Sequence, residues 1–189
     1  MFCPNAEQVY PNGFASDLQV GEIGDILCGA SRPGHFQGVV QVVNRLFDIV
    51  KPDVAVFGQK DYQQLLVIQQ MAQDLKLDVE IISGAIVREK DGLAMSTRNQ
   101  YLSADERKNA NKLYEILLAA KAQFLSTKDT STTEKNAREK VSQHFQLDYF
   151  EILDANTLKQ ITDNTCQIAI LSAVLLGPTR LIDNLVFRR

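Results

Sequence analysis

No pair of cysteines in this sequence has CxxC spacing. The three present, Cys3, Cys28 and Cys166, are odd in number and scattered, which argues against both a disulfide scaffold and a zinc site. Histidine is almost as scarce: His35 and His144 are the only two, too few for a His-rich metal centre. An excess of one charge is also missing. Lys and Arg total 20 and Asp and Glu total 23, a formal net charge of −3. That speaks against a nucleic-acid-coating surface, although a local basic pocket can still hold one phosphate chain. No apolar run reaches the roughly 18 residues of a membrane span, and the start lacks the charged-then-apolar layout of a signal peptide. A soluble, cytoplasmic protein is the expectation.

What is present is globular material, 45% apolar and 23% charged over 189 residues, enough for one domain or two small ones. Pro4, Pro11-Asn12-Gly13, Gly21, Gly24, Gly29 and Pro33-Gly34 punctuate the first 35 residues. These turn signals leave room for a short strand near residues 18–20 and a weak helix over 23–28. Beyond Gly34, Phe36, Val39, Val40, Val43, Leu46, Phe47 and Val50 share one helical face. Lys51-Pro52-Asp53 ends that helix. Val54-Ala55-Val56-Phe57 then reads as a strand buried on both faces and closed by Gly58. Leu65, Ile68, Ala72 and Leu75 predict a helix over residues 61–76, and Val79-Glu80-Ile81-Ile82 a further strand. Strand, helix and strand in that order form a βαβ unit with parallel strands.

From Val87 the character changes. Arg88-Glu89-Lys90-Asp91-Gly92 carries an Asp-Gly turn signal, followed by the polar Met95-Ser96-Thr97-Arg98-Asn99. Ser103 with Glu106 forms a capping box that opens a long helix to about residue 125. Residues 127–132 read as a polar linker, and Ser131 with Glu134 as a second capping box opening a helix to about residue 144. Strands are predicted over 149–153, 167–174 and 180–186, with Gly177-Pro178 turning between the last two. A boundary near residues 84–90 divides the chain into residues 1–86 and 87–189. Parallel sheets usually have about four to six strands and cover on both faces. The first part, with two or three, is expected to have an edge that something else covers.

Chemistry is expected where a parallel strand meets the next helix. Gly58-Gln59-Lys60-Asp61 stands there. Exposed N–H groups and the helix dipole favour an anion, and Lys60 adds a full charge. Gln63 and Gln64 follow, with amides suited to orienting a polar substrate. The plainer reading makes Gly58 a turn, Asp61 an N-cap and Lys60 a solvated charge. Met95-Ser96-Thr97-Arg98 offers two hydroxyls and a guanidinium that forks onto phosphate oxygens, against a plainer reading as an ST-turn loop. Arg32 and His35 could meet a carboxylate or phosphate, or simply start a helix. His144 reads as a surface residue at a helix C-terminus. No nucleophile–His pair, acid–base dyad or Walker loop can be assembled.

These residues resemble a known family. Arg32-Pro33-Gly34-His35-Phe36-Gln37-Gly38-Val39 is similar to the RPxHFxGV segment of pantothenate synthetases, the pantoate–β-alanine ligases. Phe57-Gly58-Gln59-Lys60-Asp61-Tyr62-Gln63-Gln64 resembles their FGxKDxQQ motif, and residues 88–102 their RxxDGLAxSSRNxYL. Tyr10-Pro11-Asn12-Gly13 and Arg180-Leu181-Ile182-Asp183-Asn184 fit as well. The resemblance runs from end to end. It implies an α/β fold: part of a Rossmann-like, nucleotidyltransferase-type parallel sheet, then a smaller α+β C-terminal domain that closes over the site. It implies ATP-dependent condensation of pantoate with β-alanine through a pantoyl adenylate, with Mg2+ accompanying ATP, in a homodimer. Carried over by motif, Gly58, Gln59, Lys60 and Asp61 would hold ribose and phosphates, and Gln64 would bind pantoate. Val87 would lie against adenine, and Met95, Ser96, Thr97 and Arg98 would form a mobile phosphate loop, with Lys60, Ser96 and Arg98 the catalytic charges and hydroxyl.

Gln59 replaces the family's Glu and Thr97 its second Ser, and both keep hydrogen-bonding capacity. A larger departure is that no HxGH motif, and no counterpart of the strands that carry a further pantoate-binding Gln, occurs in the sequence. The chain thus looks like the C-terminal portion of such an enzyme, and little ligase activity is expected of it alone. A non-catalytic nucleotide-binding or assembly module, and a different adenylyl- or cytidylyltransferase, are the competing readings.

Overall fold

The computed structural model describes residues 3–11, 13 and 18–189. The chain divides into two compact units, Met1–Gly84 and Ala85–Arg189. In the first, the short helices α1 (Ala6–Val9) and α2 (Cys28–Ser31) precede α3 (His35–Val50), β1 (Val54–Gly58), α4 (Tyr62–Asp74) and β2 (Glu80–Gly84). Residues 18–20 form no strand, and the expected helix over 23–28 is a 3-10 turn at Glu22–Gly24 followed by α2. Close packing replaces regular structure there: a Cβ on Gly29 would overlap the Gly24 carbonyl. Asn12, within the Tyr10–Gly13 motif, lies outside the described residues.

Helix α3 follows the apolar spacing and buries Phe36 and Val40. It stops where Lys51 turns left-handed (φ 50°), ahead of Pro52, which cannot continue it. Strands β1 and β2 pair in parallel with Val54 opposite Glu80 and Gly58 opposite Gly84, so α4 is the crossover. Phe57 meets Phe47 of α3 edge-on at 6.3 Å, and α4 buries Leu65, Val67, Ile68 and Met71. The expectation that β1 is buried on both faces is overturned. Val56 is 66% exposed, with Val54 and Ile82 also open. The reason is geometric: a sheet of two described strands has helical cover on one face, and alternate side chains point to the other.

The second unit carries α5 (Ala104–Ala110), α6 (Lys112–Thr127) and α7 (Thr130–Ser142) against an antiparallel sheet of β3 (Gln146–Asp154), β4 (Gln167–Leu176) and β5 (Thr179–Arg188), in that spatial order. The core joins Leu113, Leu117 and Phe124 of α6 to Phe150, Ile152, Ile168 and Ile170 of the strands. Ser103 and Glu106 form the expected capping box. The single long helix expected after it is broken at Asn111, whose side chain reaches Glu115 and whose carbonyl accepts from Tyr114 at 3.0 Å in a tighter turn.

Helix α7 also starts differently from expectation. Asp129 caps it, accepting from the Thr132 N–H at 3.0 Å, so Ser131 lies inside the helix. Glu134, expected to complete a box with Ser131, instead accepts the Ile152 N–H of β3 at 2.7 Å, while Arg138 donates to the Phe150 carbonyl and to Glu151. These side chains satisfy the outer rim of an edge strand. Burial pushes the Glu151 carboxyl above the usual glutamate range; Arg138 opposes the shift and Glu134 reinforces it. A raised native value means the folded state keeps a proton that the unfolded chain has lost. Stability from this group therefore falls as pH rises just above the ordinary value. Glu151→Gln is expected to flatten that fall; urea midpoints with an unchanged pH slope would contradict it.

Candidate functional site

Strand β1 ends at Gly58 and runs through a 3-10 turn, Gln59–Asp61, into α4. A Cβ at Gly58 would meet nothing within 4 Å, and its backbone angles (φ −68°, ψ 129°) suit any residue. The fold does not demand glycine there. Lys60 keeps 19% of its side chain exposed, with Nζ 3.7 Å from Asp61 Oδ2. Asp61 occupies the N-cap position but makes no side-chain capping bond. The plainer reading of Asp61 as a helix cap thus finds no support, and the first N–H groups of α4 lack that cap.

The two glutamines separate sharply. Gln63 is 4% exposed: its Oε1 accepts the Cys28 N–H at 3.1 Å, and its Nε2 donates to the carbonyls of Ile23 and Ile26, both at 2.7 Å. It is a clasp between α4 and residues 23–28, with both amide hydrogens spent on backbone carbonyls. Gln64, about 100° further round the helix, is only half-buried. Arg32 NH1 lies 3.0 Å from His35 Nε2 at the start of α3, so the two side chains meet each other there. His144 is exposed just beyond α7.

In the second unit, residues 87–95 form a short hairpin. Arg88 and Ala94 are bridged, Met95 N–H donates to the Val87 carbonyl at 2.9 Å, and Gly92 turns at φ +95° against the Tyr114 ring. Val87 is 65% and Met95 50% exposed, large apolar groups displayed side by side. Ser96 Oγ accepts the Arg98 N–H at 3.2 Å and starts the 3-10 turn Thr97–Tyr101. The ST-turn reading is therefore realised. It does not exclude the phosphate reading, because an oxygen that accepts from a backbone N–H still has its own O–H to donate. Thr97 and Arg98 are exposed.

Sequence reasoning missed the groups that support this hairpin. Arg88 NH1 and NH2 lie 2.6 and 2.9 Å from the two Asp183 oxygens of β5. Arg107 makes a second pair with Asp91 at the turn, which holds that carboxyl below its usual range. Arg88 and Asp183 both fall in family-like segments, a signal that marked them without showing that they meet.

The sequence profile of the pantoate–β-alanine ligases matches residues 1–186. The chain belongs to that family. It is 60% identical over 187 residues to the pantothenate synthetase of Vesicomyosocius okutanii, covering 99% of this chain and 66% of the relative. The pantothenate synthetase of Ruthia magnifica is 58% identical over 189 residues, with 100% and 68% coverage. The chain thus spans about two thirds of the length of these relatives. Among solved structures, the Thermus thermophilus enzyme superposes with a TM-score of 0.89 at 42% identity, over 97% of this chain and 68% of that one. A Francisella tularensis pantoate–β-alanine ligase, solved with β,γ-ATP and β-alanine, gives 0.69 at 32% identity, over 95% of this chain and 61% of that one. The family's α/β architecture, a parallel Rossmann-like sheet and then an antiparallel one, therefore holds for this chain. No helix among the described residues is long and apolar enough to cross a membrane.

Proposed function

We propose that this chain carries part of the machinery that condenses pantoate with β-alanine at the expense of ATP, in the cytoplasm and as a homodimer. The observation that carries the reading is the Gly58–Asp61 turn, which brings Lys60 to the start of α4 at the carboxyl end of a parallel strand. The Francisella relative, solved with β,γ-ATP and β-alanine, supports it. Residues 1–86 act as half of a nucleotide-binding domain and 87–189 as a lid. In the first step a pantoate carboxylate oxygen attacks the α-phosphorus and pyrophosphate leaves. In the second the β-alanine amine attacks the acyl carbon, loses a proton, and AMP departs with the bond pair.

Gly58, Gln59, Lys60 and Asp61 hold ribose and phosphates, Val87 lies against adenine, and Met95, Ser96, Thr97 and Arg98 form the phosphate loop. Gln64 orients pantoate. Such chemistry needs positioning and charge neutralisation rather than a covalent nucleophile. Among the described residues no group of three or more His, Cys, Asp or Glu could hold a metal; Mg2+ in this reading arrives on the triphosphate, whose charge it offsets.

The chain spans about two thirds of its relatives and contains no HxGH motif. By itself it is expected to bind ATP with Mg2+ and to form little or no pantothenate. Adding the separately made first third of a relative is expected to raise AMP release. Robust turnover by the 189 residues alone would overturn the inactivity. Absence of ATP binding, with no gain on complementation, would favour a non-catalytic module.

A further inference from the structure

Among the described residues, Arg88–Asp183 is the most buried ion pair, with 16% and 4% of the side chains exposed, and neither residue has a ligand contact in the reading above. Arg88 is engaged at both terminal nitrogens and against one aromatic ring. Its fork meets both Asp183 oxygens, NH1 also donates to the Gly92 carbonyl at 3.0 Å, and the guanidinium lies 3.7 Å from the centre of the Tyr114 ring. Asp183 in turn accepts the Asn184 N–H at 2.7 Å.

We propose that the Arg88–Asp183 pair, stacked on Tyr114, is the positioning element that presents Val87 and Met95 outward and so sets the affinity for ATP. The inference rests on the ATP reading of Val87 and Met95–Arg98. Neighbours along an extended strand face opposite ways. Pinning Arg88 to β5, with its bridge partner Ala94 buried, turns Val87 and Met95 to solvent. A two-stranded ribbon this short does not hold its own geometry in water, so the geometry must come from its anchors. Two ion pairs tie it among the described residues. Arg107–Asp91 at the tip is exposed and correspondingly weak. Asp183 is buried, and stranding it without a partner is costly; the hairpin therefore has one position available. A ligand that meets a pre-set surface does not have to order it on binding.

Asp183→Asn keeps the shape and removes the charge; Arg88→Lys keeps the charge and removes the fork. Calorimetric titration of ATP with Mg2+ into the unsubstituted chain and both variants, with pantoate as the reference ligand, tests the inference. Both variants are expected to bind ATP about tenfold more weakly or worse, with unchanged stoichiometry and unchanged pantoate affinity. Tyr114→Leu, which leaves the ion pair and removes the ring, is expected to weaken ATP about two- to threefold; it serves as the readout if the charge variants fail to fold. An unchanged ATP Kd with reduced stoichiometry would make the pair a fold stabiliser alone, and equal weakening of ATP and pantoate would likewise overturn the inference. No heat from the unsubstituted chain would remove the ATP reading and this inference with it. An unchanged Kd in the variants, beside a binding parent, would remove this inference only.

Discussion

Gln63→Ala is expected to cost the first unit about 3–5 kcal/mol, whereas Gln64→Ala, one residue on, changes stability by no more than about 0.5 kcal/mol. The difference comes from partners. Alanine at 63 abandons the Cys28 N–H and the carbonyls of Ile23 and Ile26. Buried polar groups left unsatisfied cost about 1–3 kcal/mol each. The Ile26 end is partly open to water, which keeps the total below the sum of three full penalties. Gln63→Glu tests the same point without opening a cavity. A carboxylate still accepts from Cys28, but it replaces a donor with an acceptor facing two carbonyls, so it should be no better than alanine. Gln64→Ala is expected to leave the fold intact and to abolish measurable pantoate binding. Hydrogen exchange of amides in residues 23–36 and 62–74 reads the stability, and pantoate calorimetry the binding. Equal stability of the two alanine variants would sink the distinction.

The second large effect is a contrast between glycines. Gly29→Ala is expected to destabilise the first unit by about 4 kcal/mol or more, because its Cβ would overlap the carbonyl carbon and oxygen of Gly24. These are backbone atoms and cannot rotate aside as a side chain could, so the turn at Glu22–Gly24 must move off α2. Leu27 beside it already sits at φ 50°, ψ −118°. Strain of that kind persists only where surrounding contacts over-determine the backbone, and the Gln63 bond to Cys28 is one such contact. Gly58→Ala, by contrast, adds a methyl to open space at ordinary backbone angles. It should leave thermal unfolding unchanged and weaken ATP binding alone. A Gly58→Ala variant that unfolded early would show that the glycine serves the fold rather than the ligand.

Local features of the fold were legible in the amino-acid order. The apolar period of α3, the turn after Gly58 and the Ser103–Glu106 capping box rest on interactions within a few residues, and the three C-terminal strands show as apolar runs bounded by turn residues. The Asn111 break and the Asp129 cap were misread because several local donors and acceptors compete at each point. At Glu134 the winner lies 18 residues away, in β3.

The motif at Gly58–Gln64 was equally legible, but not the division of labour inside it. Nothing in the pair Gln63-Gln64 says which one faces the core. That depends on where residues 23–28 run, and those partners stand 35 or more positions away. Arg88 and Asp183 are 95 positions apart, and their pairing follows from a sheet register that no local pattern encodes.

The sequence by itself determined the family, the βαβ order and the residue types at the turn after β1. Short-range periodicity, capping and ordered motifs are written in neighbouring residues, so they can be read there. The tertiary structure alone decided which glutamine is a clasp, which glycine is sterically required, and that β1 shows one apolar face to solvent. It also decided that a buried ion pair supports the hairpin of Val87 and Met95. Each of these depends on distant groups being brought within hydrogen-bond or contact distance, and chain topology sets that proximity.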